Sequence, residues 1–467
     1  MKRADCADTF NNITEMKKLT SLLLIAALVS VNIQAAKTKL PDGEIIKTGW
    51  NFGPMPVVGF DSDLGFQYGI CCDIFNYGNG SDYPSYDFKI NVEASTYTKG
   101  SSILRSYGYF NKLIDEGKLF YDVTFLNSPK YDFFGYNGFA SPYYKDHIEG
   151  HPRPDAKSGY YLMHRKQFRV VTSMMKNITG NLNWAVGLAY YHINTDPIDT
   201  CKYDIYAGQT TLYDKYCSAG LIGYKERGGG NVIQFRAGLV YDSRDRENDP
   251  TRGFNVELSF AGAPDFIDNE GHSYLTFDFV GSHFVPVASD KLTFAYRIGL
   301  QTNLTGDMPY YMTNNLNTMF FRKLYTEILG GNASVRGINH NGVVGDGVGW
   351  LNLEFRWRAI GFKFINQNWD IVLNPFFDAG QVIQSYKLDE QKHFGDDLSI
   401  ALIPGENGYS YCKRLYSGEN ESPHCSAGVG LKLIMNHNLV VSVEAAKALN
   451  KKDGERLWTN IGFNYIF

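Results

Sequence analysis

The sequence predicts an all-β protein: a transmembrane, antiparallel, up-and-down β-barrel of about sixteen strands. Three observations carry the barrel. Apolar and polar residues alternate with period two through most of the chain beyond residue 50. Charged residues keep to one phase of that alternation. Long and short connections alternate along the chain instead of being scattered.

Successive strand side chains point to opposite faces, so alternation sorts residues by solvent. In WLNLEFRWR, residues 350–358, Leu351, Leu353, Phe355 and Trp357 share one face, while Asn352, Glu354, Arg356 and Arg358 share the other. The same division sets Ile233, Phe235, Leu239 and Tyr241 against Gln234, Arg236 and Asp242, and Leu292, Phe294, Tyr296 and Ile298 against Thr293 and Arg297. The apolar set is expected to meet lipid and the polar set to line a lumen. A charge on the lipid face at mid-membrane costs about 2–4 kcal/mol, which enforces the phase. Strands are predicted near 52–60, 65–77, 86–97, 100–110, 118–127, 160–173, 182–193, 232–242, 253–262, 273–285, 291–302, 348–360, 370–380, 426–435, 438–447 and 456–467. On the last of these, Leu457, Ile461, Phe463, Tyr465 and the terminal Phe467 are expected to share the lipid face.

Short connections include KLIDEG, TGN, SDK and NHN; long ones fall near 128–159, 194–231, 303–347 and 381–425. With both termini periplasmic, every long connection lies outside. A soluble sandwich has no reason to sort its loops in this way.

Composition agrees. At 467 residues, 44% hydrophobic and with a net charge of −4, the chain can bury a core and has no basic excess for nucleic acid. Its one long apolar run, LTSLLLIAALVSVNIQAA, follows Met16, Lys17 and Lys18 and ends on Ala35 and Ala36. That is the form of a secretory signal, so residues 1–35 are read as a signal region with translation starting at Met16. Residues 36–49 follow as a short periplasmic segment, and 50–467 as the barrel. Cys6 lies upstream of this start, and no cysteine near the cleavage site calls for a lipoprotein anchor.

Cys201 and Cys217 fall in one long loop, and Cys412 and Cys425 in another, so each pair is a candidate local disulfide; pairing across loops stays open. Cys71 and Cys72 are adjacent on a strand and read as wall residues. No metal or redox spacing appears. His147, Glu149 and His151 in HIEGH lack the order H-E-x-x-H, and the glycines 228–230 lack the lysine and serine of a phosphate loop. No enzyme and no cofactor is expected.

Three motifs point to a family. GLVYDSRDRENDPTRGF spans a strand, a turn and the next strand; NASVRGINHN precedes WLNLEFRWR; NPFFDAGQV follows it. Together with the C-terminal strand they resemble the barrel of the BamA and TamA superfamily, whose members insert barrels into the outer membrane or move polypeptides through it. The resemblance covers most of residues 230–467. It implies that the Val335-Arg336-Gly337 tip of the sixth outer loop docks in the lumen on Glu354 and Asp378. It also implies that Phe463, Tyr465 and Phe467 serve as a C-terminal insertion signal, and that Asp242, Arg244, Asp245, Pro250 and Gly253 form a periplasmic turn. For this turn, ordinary Asp-Pro-Gly turn geometry is the alternative to a catalytic carboxylate pair. Ile338 stands where the family usually has an aromatic residue.

Residues 36–49 are too few for a POTRA unit, so a barrel-only relative is expected, helped by a separate periplasmic partner. The implied partners are outer-membrane lipid, unfolded outer-membrane proteins and a periplasmic or outer-membrane assembly factor. The location is the outer membrane of a Gram-negative bacterium. A passive solute channel or a structural subunit of an outer-membrane complex is the alternative function.

Overall fold

The computed structural model describes residues 38–39, 45–81, 86–115, 117–144, 159–198, 211–247, 249–266, 271–287, 291–318, 328–364, 367–394, 415–435, 439–463, 465 and 467. The expected signal region lies outside them. Thr38–Lys39 and Ile45–Ile46 pair as a minimal antiparallel ladder before the barrel.

Sixteen strands then close on themselves. In chain order they are β1 (Trp50–Asp61), β2 (Gly65–Asn76), β3 (Phe88–Tyr97), β4 (Ser102–Phe110), β5 (Gly117–Asp132), β6 (Leu162–Thr179), β7 (Leu182–Asp196) and β8 (Gly229–Asp242). The second half comprises β9 (Gly253–Ala263), β10 (Tyr274–Pro286), β11 (Leu292–Gly306), β12 (Gly347–Phe364), β13 (Gln367–Gln384), β14 (His424–Met435), β15 (Leu439–Ala448) and β16 (Trp458–Phe463). Each pairs antiparallel with its neighbour in sequence, and β16 closes on β1. Closure satisfies the backbone donors and acceptors of the wall, the condition for crossing lipid with strands.

The alternation read from the sequence decides what each face touches. On β12, Phe355 and Trp357 are exposed outside, while Asn352, Glu354 and Arg356 are buried inside. On β8, Phe235, Leu239 and Tyr241 face out against buried Gln234 and Arg236. Inward charges find partners across the wall: Asp122 of β5 takes Arg105 of β4 at 2.6 Å and Arg169 of β6 at 3.0 Å.

The long connections share one end of the barrel because even numbers of strands separate them. There they fold together. Phe133, Tyr136, Tyr213, Tyr216, Tyr310 and Tyr386 belong to one buried cluster contributed by four loops. Helix α1 (Leu212–Ser218), started by the capping box of Thr211 and Asp214, turns Tyr213 and Tyr216 inward. Asn137 donates to Gln391 at 2.8 Å and to the Tyr386 carbonyl at 2.9 Å, joining the loop after β5 to that after β13. This aromatic mass covers the lumen at the long-loop end.

Candidate functional site

The connection between β11 and β12, described over residues 307–318 and 328–346, places part of itself in the cap and part in the lumen. Its tip carries Val335, Arg336 and Gly337, all buried. The tip is held first by its backbone. Arg297 of β11 donates to the carbonyls of Ala333 at 3.1 Å and Ser334 at 3.4 Å, and Asn352 of β12 donates to Ser334 at 2.7 Å. Gly337 has φ +83°, and a Cβ there would meet that of Ala446 at 2.9 Å, so β15 leaves no room for a side chain.

Arg336 is fully enclosed. Its Nε and Nη2 donate to the two oxygens of Asp378 on β13 at 2.8 and 2.9 Å, and its backbone N–H adds a third bond at 3.0 Å. Nη1 lies 2.8 Å from Glu354 of β12 and 2.9 Å from Glu444 of β15. The guanidinium plane stacks 3.5 Å from the ring centroid of Phe376, and the Ser426 hydroxyl donates to the Arg336 carbonyl. Two further cations complete the network: Arg356 reaches Glu354 at 2.9 Å, and Lys432 reaches Glu444 at 2.5 Å. Three cations thus face three carboxylates, and each charge has an opposite partner in a largely dry space.

The structure therefore brings Arg336 together with both acids named from the sequence, Glu354 and Asp378. Sequence reading missed Glu444, Lys432 and Ser426. The available signal was phase: Glu444 is the one acid in VVSVEAAKA and lies in the phase opposite to Val441, Val443 and Ala445. Ile338, in place of the expected aromatic, is buried in the aromatic cap.

The seam is short. Among the described residues, β16 and β1 are in register only at Asn460–Asp61 and Ile461–Phe60, with one more bond from Ser62 N–H to the Thr459 carbonyl at 3.0 Å. By contrast, β8 and β9 stay matched from Phe235–Gly262 to Asp242–Asn255. Asn332 of the inward loop donates to Asp61 at 3.1 Å, so the loop also touches the seam.

The C-terminal residues correct one expectation. Leu457 and Ile461 are exposed on the outer face, but the phase does not continue. Tyr465 is buried against Val372, Ile434 and Val440, with Arg356 3.8 Å above its ring. Phe467 packs near Phe284 and Arg297, and its carbonyl accepts from Arg356 at 3.0 Å. The chain leaves the wall after Phe463, whose side chain lies outside the described residues, and turns into the lumen.

The turn between β8 and β9 is built as its residues suggest. Arg244 forks onto Asp242 at 2.8 and 2.6 Å. Asp245 accepts from the Thr251 amide at 2.8 Å, the Thr251 hydroxyl at 2.6 Å and the Arg252 amide at 3.1 Å. Partial burial works against the Asp245 charge, but these donors outweigh it and hold the carboxyl below its usual range. Gly253 has φ +99°, a conformation only glycine adopts freely, and Pro250 is buried. Asp249 reaches Arg358 of β12 at 2.8 Å, so the turn is tied to a strand three places away.

Other candidates stand apart. Cys217 packs within the aromatic cap, and the Cys425 thiol lies 3.9 Å from the Pro423 carbonyl. Cys201 and Cys412 lie outside the described residues, as do His147, Glu149 and His151. Among the described residues no cluster of histidine, cysteine and carboxylate could hold a metal.

Comparison with known proteins agrees with this geometry. BamA from Haemophilus ducreyi lacking POTRA domains 1–3 is similar in fold with a TM-score of 0.53 and 14% identity, over 97% of this chain and 79% of that one. CdiB from Escherichia coli is similar with a TM-score of 0.50 and 11% identity, over 92% of this chain and 67% of that one. No curated protein sequence matches. The Omp85 superfamily domain matches residues 77–465, and the chain belongs to the Omp85 superfamily.

Proposed function

We propose that this chain is an outer-membrane factor that inserts or translocates polypeptides, acting at the seam between β1 and β16 with the help of a separate periplasmic partner. The short seam carries the reading. In a barrel every other junction is a ladder that must break before the wall opens, whereas here, among the described residues, β16 is joined to β1 by a few bonds beside an internal loop. Extended segments of client polypeptide are the chemistry such an edge would accept. On this reading Arg336, Glu354 and Asp378 act as a lock that holds the loop, and through Asn332 supports the seam.

The filled lumen weighs against the alternative of a passive channel. The aromatic cap, the loop and the C-terminal residues occupy the space that a solute would need. Depletion followed by a quantitative outer-membrane proteome tests the proposal. Selective loss of other barrels is expected; an unchanged proteome would reject it in favour of a structural role.

A further inference from the structure

The outward phase of β6 departs from an apolar wall near the long-loop end. Arg165, Gln167 and Arg169 are buried inside, so His164, Lys166 and Phe168 face outward. The register carries this row onto both neighbours. Asn127 of β5, Lys166 and Asn194 of β7 lie abreast. Phe125, Phe168 and His192 form the next row toward the short-turn end, and His164 and Asp196 the row toward the long loops. Asn231 of β8 adjoins His192. Strand length alone does not place polar groups here: β13 is as long as β6, yet its outward residue nearest the long-loop end is the exposed Ile383.

The residues below the patch set its level. Phe125 and Phe168 are exposed, and Phe168 meets Tyr190 edge-on at 6.4 Å. The outward row abreast of Tyr190 continues with Val123, Val170 and Ile233. Exposed aromatic rings on a barrel wall mark the depth where acyl chains give way to headgroups. Lys166 and its neighbours, one row further out, therefore stand at headgroup level.

The patch is also pre-arranged. The Tyr190 hydroxyl and His192 Nδ1 both lie 2.8 Å from Asn231 Oδ1, and His164 Nε2 lies 2.8 Å from Asn127 Oδ1. An amide oxygen only accepts, so all three donate, and the amide nitrogens of Asn127 and Asn231 are left to donate elsewhere. Among the described residues, no carboxylate pairs with Lys166. Asp196 is the acid at the patch edge, opposite His164.

We propose that this face binds the headgroup of a phosphorylated glycolipid in the outer leaflet. Lys166 takes the phosphate, Asn127, Asn194, Asn231 and His192 bond sugar hydroxyls, and Phe125 and Phe168 lie against the start of the acyl chains. One ammonium beside an array of neutral hydrogen-bonding groups suits a phosphate carried on carbohydrate. A plain phospholipid headgroup would leave most of the array unused. The proposal rests on an outer-membrane location and is independent of the polypeptide-handling function.

Native mass spectrometry of the full-length protein in detergent micelles tests it. Bisphosphorylated lipid A, dephosphorylated lipid A and phosphatidylglycerol are offered at equal concentration. Retention of bisphosphorylated lipid A at least fivefold above both others is expected. Lys166→Gln with His192→Ala should lower it to the level of the dephosphorylated form, and Lys166→Gln alone serves if the double variant loses heat-modifiable mobility. Lys447→Gln, exposed near the long-loop end of β15, should leave retention unchanged. Equal retention of phosphatidylglycerol would overturn the glycolipid assignment, and displacement of lipid A by inorganic phosphate would mark a free-anion site instead. Retention undiminished in a folded Lys166 variant, or lost equally in Lys447→Gln, would overturn the site.

Discussion

Glu354 holds Arg336 with one carboxylate oxygen at 2.8 Å and Arg356 with the other at 2.9 Å. One buried side chain of β12 thereby joins the tip of the inward loop to the residue that clasps Tyr465 and Phe467. Neither arginine can leave without exposing a charge that the other does not neutralise.

Arg336→Ala should be the most damaging single change in the lumen. It strands Asp378 and leaves Glu354 to Arg356 and Glu444 to Lys432, and removing one partner of a buried pair costs about 3–5 kcal/mol. Arg336→Lys keeps the charge but loses the planar fork on Asp378, so it should recover only part of the stability. Heat-modifiable gel mobility reads both. A melting curve unmoved by Arg336→Ala would rule out the lock.

The three acids should not be equivalent. Asp378 accepts three bonds from Arg336, one of them from the backbone, whereas Glu444 accepts one from Arg336 on the oxygen that also takes Lys432. Asp378→Asn should therefore lower the melting temperature more than Glu444→Gln. Equal losses would mean that charge balance, and not the fork geometry, holds the loop.

A disulfide across the seam should arrest function. Asp61 and Asn460 are register partners facing away from the seam's hydrogen bonds, the pair type with the closer Cα atoms. Asp61→Cys with Asn460→Cys should oxidise readily, abolish client insertion and recover on reduction. Full activity in the oxidised protein would show that the seam need not open.

Arg358→Ala should free the turn between β8 and β9. Asp249 loses its contact at 2.8 Å and keeps Arg246 at 4.0 Å, so the cost is below about 2 kcal/mol and is further reduced by partial solvent access. Trypsin offered at the short-turn end should then cut at Arg244, Arg246 or Arg252 several times faster. An unchanged cutting rate would show that the turn holds without this pair.

The same turn should be acid-sensitive. The Asp245 carboxyl titrates lower in the folded protein than in the unfolded chain, so its stabilisation is complete above the ordinary carboxylate pKa of about 3.9 and fades as pH falls through the folded value. Asp245→Asn should lower protection of the 243–252 amides at neutral pH and remove their loss of protection below pH about 3.9. Hydrogen exchange across that range distinguishes the two.

Period-two alternation is local, so it was legible wherever a strand has one wet and one apolar face. All sixteen strands, the phase of Glu354 and Asp378, and the grouping of the long loops at one end could be read in that way. The motif around Arg336 named its two acids because they lie in neighbouring recognisable segments. Glu444 carried no such marker. Its role depends on β15 lying two places from β13, which holds Asp378, so that both strands aim a carboxylate at the loop tip.

The C-terminal residues mark the boundary most sharply. Leu457, Ile461, Tyr465 and Phe467 lie in one phase of the sequence, yet the first two face out and the last two lie in the lumen. The sequence by itself determined that the chain alternates and which residues could face lipid. Where Tyr465 and Phe467 lie depends on their partners in the lumen, Val372 and Arg356 for the first and Phe284 and Arg356 for the second, which are separate in the chain and meet only in the closed barrel. Burial of an aromatic ring depends on what packs against it, and only the tertiary structure brings these side chains together.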